Sequence, residues 1–284
     1  MAYRLIISVP LRTETTAREV AAHSELMPPG LAAKLAEQAP EHCAAPADMP
    51  GPVFSYRPAE VSGGIYHLLA AAYPAGGDDC CRVHLIAATQ EEVQAPDAAA
   101  QPTPAGILLA LEQQGLLRRM PSSGILAAPL PPLPECSPAS TQAWARIAGA
   151  AEQAHILLTE PYRRGGILAV PPGTASADAL ALLHESQVQA PTWGWGIPFC
   201  TATAPDALPD AQSYAITTIG SPLHLRALSA GVPVLTLSPA GAPPREQRSP
   251  THLQPRPYFY GECIDDNVFA PSWCAELRPP STRA

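Results

Sequence analysis

Apolar and polar positions come in short alternating blocks along the chain, and these blocks predict strands and helices in turn. Tyr3–Val9 is a short apolar run ended by Pro10 and predicts a first strand. Thr13–Ala22 is polar and suits a helix start. Met27, Pro28 and Pro29 open a helical pattern over Gly30–Gln38. Leu31 and Leu35 lie four apart there, and proline sits near the N-terminus, where its missing N–H does no harm. Val53–Tyr56 predicts a short strand. Two longer apolar runs, Tyr66–Tyr73 and Val83–Thr89, flank Pro74–Arg82. They predict a β-hairpin, or two neighbouring strands, joined by a polar loop. The rest of the chain is organised around this unit, Tyr66–Glu92.

Ala105–Arg118 predicts a helix with a one-sided stripe of Ile107, Leu108, Leu111 and Leu116 or Leu117. Arg118 and Arg119 suit its negative C-terminal end. Thr141–Ala154 predicts another helix, capped by Ser140 or Thr141 and burying Trp144, Ile147, Ala148 and Ala151. Gly166–Val170 reads as a strand, Pro171–Thr174 as a turn and Ala177–His184 as a helix. Trp193–Thr201 and Ser213–Ile219 read as strands, Pro222–Ala230 as a short helix and Val232–Leu237 as a last strand. The pattern defines an α/β or α+β fold, with mixed β-sheets, flanking helices and Pro-rich linkers and tail.

Composition adds boundaries. The chain has 36 prolines, clustered at 121–138 and 233–257. Proline neither donates to a ladder nor sits inside a helix, so both stretches read as linkers or wrapping loops. This divides the chain into an N-terminal domain at 1–135, a middle α/β domain at 136–240 and a partly docked tail at 241–284. The tail carries Tyr258, Phe259, Tyr260, Ile264, Val268, Phe269 and Trp273. It is too apolar for a free tail; Tyr258, Tyr260 and Trp273 are the expected contacts with the body or a partner.

Charge is sparse at 15% and the balance is acidic, −8. Nucleic acid and anionic membrane both demand clustered Lys and Arg, so neither is the expected partner. The 7 cysteines are scattered, without a C-x-x-C pair, which favours a reducing cytosol. The N-terminus lacks the basic region and cleavage site of a signal peptide. No run approaches the apolar length of a membrane span. A cytoplasmic protein is expected.

Acid, thiol and guanidinium chemistry is densest at Asp78, Asp79, Cys80, Cys81 and Arg82, with His84 close behind. These are metal-ligand types, but adjacent ligands rarely close a tetrahedral site and no second cluster completes one. The simpler reading is a turn whose acids pair with Arg82 and cap backbone N–H groups. Cys80 or Cys81 with His84, or with His67 across the hairpin, would make a thiolate–imidazolium pair and hence a hydrolase or thiol enzyme. There is no G-x-S-x-G elbow. Pro171-Pro172-Gly173-Thr174 precedes a helix but has one glycine, no lysine and two residues without N–H, unlike a phosphate cradle. Trp193, Trp195 and Phe199 alternate as core residues would. No catalytic residue, metal or cofactor is predicted from these patterns. A structural subunit of an assembly is the third reading they leave open.

Several segments line up in order with one family. Phe54–Leu69 (FSYRPAEVSGGIYHLL) resembles a strand pair ending in a Tyr-His-Leu motif. Ala75–Arg82 (AGGDDCCR) resembles a Gly-x-Asp-Tyr-Thr-Gly-Arg loop, and His84–Glu92 a Leu-Ala-His-His strand followed by an acid. Ala169–Glu185 resembles a Pro-x-Gly strand–helix unit. Trp193–Pro222 resembles a Trp-x-Val-Thr-Phe-Thr-Thr strand, a Leu-Pro turn and a strand ending in Gly-Ser-Pro. Together, over roughly Met1 to Pro239, the chain resembles the N-terminal and middle regions of the GTPase-associated adaptor proteins of bacterial NTP-dependent conflict systems. The order and number of matches carry the resemblance, since no single motif is decisive. It implies an adaptor or regulator working beside a GTPase, with Asp78–Arg82 as the interaction loop, supported by His67 and His84, and 1–135 as the adaptor-like domain. The departures fall in the same place. The family's Thr-Gly is Cys80-Cys81, its His-His pair falls on Ala87-Ala88, and a residue or two is missing between Arg82 and Leu85. Asp78 and Arg82 are what remain of the loop.

Overall fold

A computed structural model of the chain describes residues 5–12, 20–25, 27–38, 49–74, 80–93, 103–118, 124–126, 142–149, 151–159, 162–189, 195–201 and 213–237. The strands are β1 (Leu5–Arg12), β2 (Ala22–Ser24), β3 (Val53–Val61), β4 (Gly64–Pro74), β5 (Cys80–Thr89), β6 (Gly124–Leu126), β7 (Gly166–Val170), β8 (Phe199–Cys200), β9 (Tyr214–Thr218) and β10 (Val234–Thr236). The helices are α1 (Pro29–Glu37), α2 (Gln90–Val93), α3 (Pro104–Gln113), α4 (Ala143–Ala148), α5 (Ser176–Gln189) and α6 (Pro222–Ala230), with a 3-10 helix at Ala151–Leu158.

All the strands belong to one mixed sheet, in the order β10-β7-β9-β8-β3-β4-β5-β1-β2-β6. The predicted hairpin is there. β4 and β5 run antiparallel with Tyr66 opposite Thr89 and Pro74 opposite Cys81. The second half supplies a parallel set, β10, β7, β9 and β8, linked through α5 and α6. The two halves meet where β8 pairs antiparallel with β3, Ser55 opposite Cys200 and Tyr56 opposite Phe199. Phe54 reinforces the joint, donating its N–H to Thr201 Oγ1 and accepting from Thr201 N, both at 2.8 Å. The class is thus an α/β or α+β fold with helices on a mixed sheet.

Side chains alternate across the pleat. Phe54, Tyr56, Leu69, Ala71, Ile86, Ala88, Leu168, Val170 and Ile216 face one core, covered by α3, α4 and α5. Val53, Leu68, Ala70, Ala72, Val83, Leu85 and Ala87 face the other side, under α1. Ile167 and Ala215 pack beneath Leu223 and Ala227 of α6.

Several elements differ from expectation, each for a local reason. β1 passes through Pro10 and β3 through Pro58 instead of ending earlier. Among the described residues, β2 pairs only Ile7 and Ser8 of β1, and β8 pairs only Ser55 and Tyr56 of β3. Both prolines therefore sit where the strand has become an edge, which tolerates a missing N–H. The helix expected over Thr141–Ala154 breaks at Gly149, which takes φ 74 as the C-cap of α4; Ser140 and Thr141 lie outside the described residues. α3 ends at Gln113, and Pro104–Leu111 is buried throughout rather than on one stripe. It is sandwiched between α5 and the sheet. α5 runs past His184 to Gln189. The strand expected over Trp193–Thr201 shrinks to Phe199–Cys200, because Trp195 and Gly196 turn and Pro198 precedes the pairing. The tail residues Tyr258, Tyr260 and Trp273 lie outside the described residues.

Candidate functional site

The predicted loop connects β4, which ends at Pro74, to β5, which begins at Cys80. Asp78 and Asp79 lie outside the described residues. Cys80, Cys81 and Arg82 are not loop residues but the first positions of β5, paired with Arg12, Leu11 and Pro10 of β1. On the other side Arg82 stands opposite Tyr73.

Strand register places the two histidines well apart. His67 is opposite Ala88 and His84 opposite Ala71. Four positions of a strand span about 13 Å. Cys81, opposite Pro74, is seven positions from His67 along the ladder, or about 23 Å. Cys80 is four positions from His84 on one strand and Cys81 three, about 13 and 10 Å. The longer spacings exceed the reach of a direct thiol–imidazole hydrogen bond, and positions an odd number apart, as 81 and 84 are, alternate to opposite faces of a strand.

Each histidine instead has its own cluster. At the root of the hairpin tip, the Tyr73 hydroxyl donates to Glu112 Oε2, and Arg118 Nε and Nη2 donate to Glu112 Oε1. The Arg118 side chain is 61% exposed while that of Glu112 is 8% exposed. The guanidinium lies 5.8 Å over the Tyr73 ring, within cation–π range. The His84 ring meets Tyr73 edge-on at 5.8 Å. Burial and the Glu112 carboxylate push the Tyr73 phenol well up, against the opposing pull of Arg118. Glu112 thus locks the end of α3, the end of β4 and an exposed cation into one brace beneath the tip.

Further along the same sheet face, His67 Nδ1 lies 2.8 Å from Tyr56 Oη and His67 Nε2 lies 2.7 Å from Gln90 Oε1. Tyr56 Oη also lies 2.6 Å from the Trp195 carbonyl. The Tyr56 and His67 rings stack at 6.0 Å, and Trp195 stands edge-on to both. Both Tyr56 and His67 are buried. Burial pulls His67 below the usual imidazole range, with the Gln90 bond opposing.

A third polar group caps helices. Thr103 Oγ1 accepts from Gly106 N at the start of α3 and lies 2.9 Å from His184 Nδ1; Gln187 Oε1 accepts from Ala105 N. Glu185 accepts from Ala143 N and Trp144 N at the start of α4. The consecutive residues His184, Glu185, Ser186 and Gln187 are all buried, so α5 satisfies orphan N–H groups of two neighbours. At the far edge, Ser221 Oγ caps α6 through His224 N, and His224 Nδ1 accepts from Gly220 N.

The sequence singled out His67 and His84 but missed Tyr56, Gln90, Glu112 and Arg118. Their grouping depends on strand register and on where α3 packs, which spacing does not report. Among the described residues, no group of three His, Cys, Asp or Glu is placed to hold a metal ion. No helix among them is long and apolar enough to cross a membrane. Comparison of the chain with protein-family models, with curated proteins and with solved structures finds no match in any of the three.

Proposed function

We propose that the protein is a non-catalytic adaptor or regulatory component that works in the cytosol beside a GTPase of a bacterial conflict system. The hairpin tip, with Asp78 and Arg82, is its contact edge. The observation that supports the reading is the brace beneath that tip. Glu112 fastens Tyr73, opposite Arg82 in the ladder, to α3 and to Arg118. A loop held on a rigid base is how folds present contacts at low entropic cost. The ordered resemblance supplies the kind of partner. The ladder spacing between the cysteines and the two histidines weighs against the thiol-enzyme alternative.

The test is affinity purification of the tagged full chain from its host with GTP or GDP, read by mass spectrometry. The expected result is a GTPase recovered in one nucleotide state and lost with Asp78→Ala or Arg82→Ala. Recovery of the protein alone in both states overturns the reading. So does nucleotide hydrolysis by the purified protein that disappears with Asp78→Ala.

A further inference from the structure

Trp195, Tyr56, His67 and Gln90 form an unbranched chain of hydrogen bonds whose protons can be assigned. The Trp195 carbonyl only accepts, and it is the closer of the two neighbours of Tyr56 Oη, at 2.6 Å against 2.8 Å for His67 Nδ1. The phenol has a single proton, which goes to the carbonyl. His67 Nδ1 must then donate to Oη. This is the opposite of the tautomer that free histidine favours.

The other end has two complete arrangements. With a neutral imidazole, Nε2 carries a lone pair, and Gln90 completes the bond by presenting its NH2 group. With an imidazolium, Nε2–H donates to Gln90 Oε1, across the same 2.7 Å. Each of the three bonds of the chain joins one donor to one acceptor in both. One proton from solvent and one half-turn of the Gln90 amide interconvert them, with no movement of the backbone.

We propose that Tyr56, His67 and Gln90 form a proton-operated latch, in which His67 rests with its proton on Nδ1 and protonation of Nε2 turns the Gln90 amide over. The latch ties together three separate pieces: the β3–β4 ladder, the first residue of α2 and the turn that carries Trp195. The groups facing His67 can be named. On β3, Pro58 is opposite it in register, Tyr56 is one same-face position to one side and the exposed Glu60 one to the other. On β5 the opposite residue is Ala88. Trp195 contributes an uncharged ring 5.2 Å away. Among the described side chains no carboxylate bonds the imidazole, and burial pulls it below the usual imidazole range. In this reading the amide rests with its nitrogen toward His67, the reverse of the orientation that sets Oε1 2.7 Å from Nε2, and turns when the imidazole is protonated.

Long-range proton–nitrogen NMR spectra of the 15N-labelled full chain, recorded from pH 8 to pH 5, test this directly. His67 signals are assigned by their loss in His67→Gln. At pH 8 Nδ1 should show the shift of a protonated nitrogen and Nε2 that of an unprotonated one. On acidification Nε2 should convert, and the Gln90 side-chain NH2 signals should move with the same midpoint. Gln90→Glu can only accept at neutral pH and should raise the His67 midpoint by about one unit or more. Gln90→Met should keep the Nδ1 tautomer and lower the midpoint. A protonated Nε2 at pH 8 in the unaltered protein overturns the proposal, as do Gln90 signals that ignore the His67 titration.

Discussion

Thr103 Oγ1 and His184 Nδ1 lie 2.9 Å apart and join the first turn of α3 to the middle of α5. The same hydroxyl accepts from Gly106 N at 3.0 Å, so one buried side chain caps a helix and fastens it to its neighbour. Thr103→Ala should cost about 1–2 kcal/mol, the range for a lost cap, and Thr103→Ser should keep most of it. Urea unfolding midpoints at pH 7.5 would check both; equal losses in the two variants would contradict the capping role.

Gly106 stands against the same histidine. A Cβ added there would lie 2.7 Å from His184 Nδ1 and 3.0 Å from Thr103 Oγ1. Alanine is the better helix former by about 1 kcal/mol, yet the contact falls on a buried, hydrogen-bonded ring. Gly106→Ala should therefore lower the thermal midpoint rather than raise it. In a double-mutant cycle with His184→Ala the loss should shrink; a loss unchanged in that background would remove the ring as its cause.

Glu185 holds the start of α4 through two backbone N–H groups, Ala143 and Trp144. Burial raises its carboxyl above the usual range, while these two donors and Arg146 pull it back down. Glu185→Ala leaves both N–H groups without their acceptor and should cost about 1–3 kcal/mol. Glu185→Gln retains one oxygen and should cost less. Amide exchange at Ala143 and Trp144, measured by NMR, should quicken in the alanine variant; unchanged exchange there would show that the cap lies elsewhere.

Burial lowers His67, His184 and His224 below the ordinary imidazole value. The folded state therefore disfavours their charged forms, and the unfolded chain takes up protons first, near pH 6.5. Their contribution to stability is full above that value and declines as the pH falls through it, levelling once the folded imidazoles also protonate. The urea midpoint should be lower at pH 5.5 than at pH 7.5, and less so in His184→Gln. An identical decline in that variant would clear His184 of any part in it.

Much of the fold is legible in the sequence. The hairpin runs are bounded by Pro74 and the Gly-Gly that follows. Ser221-Pro222 marks the start of α6, where Ser221 is the N-cap. Trp193–Thr201 misleads because aromatic residues at alternate positions look like a strand whether or not a partner is in reach. Gly196 lies in a turn and Pro198 follows it, so that among the described residues of the segment only Phe199 and Cys200 pair. The site is less legible still. That Tyr56, His67 and Gln90 belong together follows from a register of Tyr56 with Leu69 and of His67 with Ala88. Nothing in the residue types alone selects that register from its neighbours two positions away. Glu112 and Arg118 look like ordinary charges at a helix end until α3 packs beside Tyr73.

The short pairing of β8 with β3 also sets a timetable. In a chain growing on the ribosome, β3 and β4 can close as soon as both emerge, but Phe199 arrives about 125 residues after Pro74, the end of β4, roughly 6–25 seconds later at ordinary rates of synthesis. Throughout that interval the outer side of β3 is an open edge, with Ser55 and Tyr56 lacking their ladder partners. Pro58 lies two positions beyond them on the same strand, a residue that cannot donate to a foreign strand and so blunts the edge. Tyr56, later central to the His67 chain, waits just as long for the carbonyl of Trp195.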